Sequence, residues 1–137
     1  MQQYKRLARW WQVSMNKDFP ENEKLYRAVF PETQRPLFWK KNGKVSSAAF
    51  KDKNGLSVER GNFRSDKDVI QDMKTYFSGS IISVTVEQCK EVNAVAKYLP
   101  SSRSKYHSEI HSSNEKILLT DRQAKYLANS AIIEYKE

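Results

Sequence analysis

The chain is poor in the residues that staple, hinge or anchor a protein. It has one cysteine, Cys89, among 137 residues. An internal disulfide is therefore excluded, as is any cysteine-based metal knuckle; a reducing cytosol is the expected home, with Cys89 packed as a small apolar residue. Four glycines and four prolines are too few for a linker, and no repeat or low-complexity tract interrupts the chain. No apolar run approaches the roughly 20 residues needed to span a bilayer, and the N-terminus lacks the apolar core of a signal peptide. A soluble, cytoplasmic protein with no membrane partner is expected. The P-loop, the dinucleotide fingerprint and the nucleophile elbow are also missing, which sets those enzyme classes aside.

Positive charge is abundant. Lys and Arg number 24 against 16 Asp and Glu, a net charge of +8. Such a balance favours an anionic partner, RNA or another nucleotide polyanion, and speaks to association and not to fold. The length suits one domain spanning residues 1–137 that buries about two-thirds of its unfolded surface without staples.

Along the chain, Tyr4, Leu7, Ala8 and Trp11 recur at helical spacing, so residues 3–14 read as an amphipathic helix. Of the adjacent Trp10 and Trp11, one indole faces the core and the other lies beside Arg6 and Arg9. After Pro20, residues 24–30 alternate, with Leu25, Arg27 and Val29 on one face of a strand. Arg27 among apolar neighbours requires an anion or carboxylate, an exit to the sheet edge, or a pairing with Glu109. Asn42-Gly43 and Asn54-Gly55 are hairpin signals, predicting a three-stranded meander over residues 37–40, 44–50 and 56–60, with Gly61 marking a bend. Ser65 caps a helix whose stripe is Val69, Ile70, Met73, Tyr76 and Phe77, closed by Gly79. Residues 80–87 read as a strand, and 88–98 carry no clear pattern. Thr120-Asp121-Arg122-Gln123 is a capping box opening a helix over residues 121–131, followed by an edge strand at Ile132, Ile133 and Tyr135. The expected fold is α+β: a compact, mostly antiparallel sheet of five to seven strands with about three helices packed on it.

Both histidines fall in Tyr106-His107-Ser108-Glu109-Ile110-His111-Ser112-Ser113. As a strand within residues 105–113, this stretch puts His107, Glu109, His111 and Ser113 on one face and Ser108, Ile110 and Ser112 on the other. The preceding loop brings Arg103 and Lys105. Two imidazoles and a carboxylate near arginines resemble, in residue types, the acid and base groups of metal-independent ribonucleases, making His107, Glu109 and His111 the expected catalytic set. Arg27, Ser57, Arg60, Arg103, Lys105 and Tyr106 are the residues expected to hold the substrate or its phosphate. Two histidines and a carboxylate also match Zn or Fe ligands, but same-side positions on one strand splay apart, so no metal is expected.

A different reading takes Arg27, Ser57 and Glu109 in order. An arginine on the first strand, a serine on a middle strand and a glutamate on a later one resembles the layout of ADP-ribosyltransferase-like folds, including toxin domains that consume NAD. The resemblance implies that Arg27 holds the dinucleotide, Ser57 supports its nicotinamide side and Glu109 acts at the ribose, with NAD required only on this reading. A toxin or defence role, with a protein inhibitor as partner, goes with either enzyme class. A non-catalytic module binding nucleic acid or protein is the remaining alternative.

Overall fold

The computed structural model describes residues 19–137. The expected helix at 3–14 and the positions of Trp10 and Trp11 lie outside the described residues. Six strands form one antiparallel sheet: β1 (Lys24–Val29), β2 (Leu56–Arg60), β3 (Ser80–Thr85), β4 (Val95–Tyr98), β5 (His107–His111) and β6 (Ile132–Tyr135). Their spatial order is β4-β5-β2-β1-β3-β6. Three helices accompany them, α1 (Asp66–Met73), α2 (Val86–Glu91) and α3 (Asp121–Ser130), so the domain is a compact α+β fold. No helix among the described residues is long and apolar enough to cross a membrane.

Strand alternation builds two cores. One face carries Leu25, Val29, Leu56, Val58, Ile82, Val84 and Ile110, covered by Cys89 of α2, Ala124, Leu127 and Ala128 of α3, and Phe50. The opposite face carries Tyr26 and Ile81 under Val69 and Met73 of α1. Burying each of these aliphatic side chains contributes about 1.5–3 kcal/mol. Cys89 is packed as expected, and burial pushes its thiol up to about 12.

Local chemistry sets the helix starts. The Ser65 hydroxyl accepts the Asp68 N–H, and Asp66 and Asp68 occupy the first turn of α1. The Thr120 hydroxyl accepts the Gln123 N–H at 3.1 Å while the Gln123 side chain accepts the Thr120 N–H at 2.9 Å, the reciprocal box read from the sequence. The Gln123 amide also donates to the carbonyls of Val92 and Ser112, tying α3 to the ends of α2 and β5.

Three expectations are corrected. The meander over residues 37–60 does not form. Asn42-Gly43 does make a turn, with Gly43 at φ +84 and a single bridge between Trp39 and Val45. Its flanks, however, are 3-10 turns at Pro36–Phe38 and Ser47–Phe50. Pro36 fixes a helical φ at the start of the first, and the buried Val45, Ala49 and Phe50 follow a turn spacing and not a two-residue alternation. Next, the strand expected over 80–87 stops at Thr85, where a second capping box, Thr85 with Gln88, opens α2. Finally, α1 ends at Met73, and Tyr76 and Phe77 lie in the turns that follow it. Gly79 holds φ +109 there, and a Cβ would meet the Val29 carbonyl oxygen at 2.6 Å, so only glycine fits.

Candidate functional site

The register of the sheet opens a cleft at one place. β1 and β2 pair only at Leu25 with Arg60 and Tyr26 with Glu59. Beyond that point β1 continues along β3 to Val29 opposite Ser80, while β2 continues along β5 to Leu56 opposite Ile110. Between the parting strands lies a cleft of about 320 Å³, within the usual size of ligand pockets. Arg27, Ser57, Glu59 and His107 line it, together with the rings of Tyr26, Phe30, Tyr76 and Phe77.

Arg27 reaches across the split. Its Nε donates to the Ala49 carbonyl at 2.8 Å and its Nη1 to the Ser57 carbonyl at 2.9 Å. Of the outcomes open to it, the guanidinium thus takes backbone carbonyls and not Glu109. Burial pushes its pKa down, with Asp52 opposing. Its Nη2 makes no hydrogen bond among the described residues, which leaves one face of a half-buried cation for an anion.

The His107 ring is oriented from both sides. Its Nδ1 lies 2.7 Å from the Leu99 carbonyl, which can only accept, so Nδ1 carries the proton. In the neutral ring Nε2 is then an acceptor, and it stands 3.3 Å from the Ser57 hydroxyl, which donates to it.

Glu109 sits opposite Ser57 in the β2–β5 ladder, on the same face of the sheet. Its carboxylate lies over the bare backbone of Gly55, where any Cβ would collide with it. The Nε2 of His111 is 2.8 Å from its Oε1. His107, Glu109 and His111 share one face of β5, as alternation requires, yet their partners differ: His107 turns to Ser57 and Leu99, His111 to Glu109. Among the described residues, no three histidine, cysteine or acidic side chains gather closely enough to share a metal ion.

The other expected residues are dispersed. Arg60 is buried, with Nε and Nη2 at 2.7 and 2.8 Å from the Glu23 carboxylate and its guanidinium 4.0 Å from the Phe19 ring centre. Tyr106 stacks under Arg64 at 3.5 Å, with the Lys105 ammonium 5.4 Å from the same ring. Arg103 is exposed on the loop before β5.

Two site residues escaped sequence reasoning. Glu59, two positions after Ser57, had the look of a polar decoration on a strand, but it is only 4% exposed and lines the cleft. One of its oxygens, Oε2, accepts the Ser104 hydroxyl at 2.7 Å; the other accepts no hydrogen bond among the described residues. Burial pushes its carboxyl up, against the Ser104 hydroxyl, Arg64 and His107. Gly55 was read only as a turn residue, although its missing Cβ is what admits the Glu109 carboxylate. Neither was signalled by local sequence, because the groups around Glu59 come from α1 and the loop at 101–106, and the carboxylate over Gly55 comes from β5. Comparison of the chain with protein-family models, with curated proteins and with solved structures gave no match.

Proposed function

We propose that the chain is an NAD-consuming enzyme of the ADP-ribosyltransferase type, acting at the cleft between β1 and β2. One observation carries the reading. Arg27, Ser57 and Glu109, distant in sequence, occupy the neighbouring strands β1, β2 and β5, with Arg27 bonded to the Ser57 backbone and Ser57 opposite Glu109. In this arrangement Arg27 holds a phosphate of the dinucleotide through its remaining N–H groups. Ser57 supports the nicotinamide side, and Glu109, opposite Ser57 and beside the cleft lining, supplies negative charge where positive charge develops on the ribose. The C–N bond to nicotinamide breaks with its electron pair leaving on the ring, and an acceptor or water bonds to the ribose carbon as it loses its proton. The net charge of +8 helps gather an anionic dinucleotide.

RNA cleavage by His107 and His111 has less support in the geometry, because it needs one imidazole on each side of a phosphate and Glu109 holds His111 away from that task. The test is incubation with NAD followed by mass analysis. The parent is expected to release nicotinamide. Glu109→Gln should lower release by about 10²-fold or more with NAD affinity largely kept, since a single transition-state charge is lost. Arg27→Ala should weaken binding instead. Intact NAD with the parent protein, in water and with a range of macromolecular acceptors, would overturn the reading.

A further inference from the structure

We infer that Glu59 and the aromatic wall of the same cleft form a subsite for a positively charged aromatic ring, so that the cleft selects ligands carrying a cationic ring and a phosphate together. The inference rests on the NAD reading and deepens it: the preferred ligand is the oxidised, pyridinium form of the dinucleotide, chosen by Glu59 over the reduced, uncharged ring.

The cleft holds one group of each sign, the half-buried Arg27 and the buried Glu59, and they face different surroundings. Asp52 is the acid near Arg27, whereas Arg64, His107 and Asp72 are the charged groups around Glu59. Each of the two also has hydrogen-bonding capacity left over: Nη2 of Arg27, and the Glu59 oxygen that Ser104 does not occupy. The second oxygen of a largely buried carboxylate is thus left to the cleft, where a cation can complete it. The rings of Tyr26, Phe30, Tyr76 and Phe77 share that cleft. Aromatic faces attract cations, and they stack on a flat heteroaromatic ring whatever its charge. A carboxylate beside aromatic faces thus favours a cationic ring twice over, while an uncharged ring gains only the stacking. The guanidinium, held by Ala49 and Ser57, meets a phosphate at the same time.

The test compares three ligands on the whole chain by titration calorimetry: oxidised NAD, reduced NAD, and ADP-ribose, which has no pyridine ring. The parent is expected to bind the oxidised form about tenfold more tightly than the reduced one, the size of a partly desolvated cation–π contact with its counter-charge. In Glu59→Gln that preference should vanish, with ADP-ribose affinity little changed and the free protein no less stable than the parent. Equal binding of the two NAD forms by the parent, or a tenfold preference that survives Glu59→Gln, overturns the inference and leaves the NAD reading intact. Failure of all three to bind removes the NAD reading. 1-Methylnicotinamide, a bare methylated pyridinium, then decides the subsite alone: saturable binding lost in Glu59→Gln upholds it, and no binding overturns it.

Discussion

At the scale of residues, two buried acids were invisible as buried in the sequence. Glu23 and Glu59 sit in polar contexts, Glu21-Asn22-Glu23 and Val58-Glu59-Arg60, that read as solvent-facing. Their burial depends on chain segments far away. Glu23 is neutralised by Arg60, and its Oε2 also accepts the Asn62 N–H. Removing the Arg60 charge would leave the Glu23 carboxylate buried without its cation, a loss of about 3–5 kcal/mol in comparable pairs. Glu59 has no such partner among the described residues, and this has a consequence for pH. Its carboxyl is held above the ordinary 4.5 by burial, so the folded protein binds its proton more tightly than the unfolded chain does. The associated stability is complete below the unfolded value and lost as pH rises through the folded one. Glu59→Gln escapes that loss. Urea melts from pH 4 to 8 are therefore expected to show the variant gaining on the parent as pH rises, then levelling; a gap that stays constant across the range would contradict the burial of an uncompensated carboxyl. Arg27, Ser57 and Glu109, by contrast, were legible as polar residues on alternating strands, and the sheet sets those strands side by side.

At the scale of elements, legibility followed local chemistry. Helix α3 was marked by Thr120 and Gln123, α1 by Ser65 with Asp66 and Asp68, and the face of β5 by strict alternation from His107 to His111. Helix α2 carries the same box as α3, Thr85 with Gln88, yet Val84-Thr85-Val86 continues the alternation of β3 across the boundary and hides the start. The segment from Pro36 to Phe50 misled for the opposite reason, since its Asn-Gly turn is real but the flanks pack on α3 instead of extending as strands. The reciprocal box on α3 matters beyond its own helix, because Gln123 also holds the carbonyls of Val92 and Ser112, the latter just past β5. Thr120→Ala is expected to destabilise the protein by about 1 kcal/mol in denaturant melts, the usual cost of a lost cap. Gln123→Ala should cost more, since it leaves two carbonyls without their donor. Equal losses for the two variants would argue that the bridging bonds contribute nothing.

At the scale of the whole molecule, the site is a product of topology. No local pattern foretells that β2 will leave β1 after the Tyr26–Glu59 pair and stay with β5, yet that departure brings Arg27 to Ser57 and opens the cleft. The two histidines also end with different partners, His107 with Leu99 and Ser57 and His111 with Glu109, although one strand carries both. The most direct measurement is a backbone and side-chain NMR titration of the whole chain with NAD, following the Arg27 and His107 side-chain signals and the amides of residues 25–30, 55–60 and 107–111. Shifts that saturate and concentrate on Arg27, Ser57, Glu59, His107 and Glu109 are expected. Shifts confined to exposed lysines such as Lys40, Lys41 and Lys44, weakening steeply with salt, would mean that the basic surface and not the cleft binds the ligand, and would contradict the central claim.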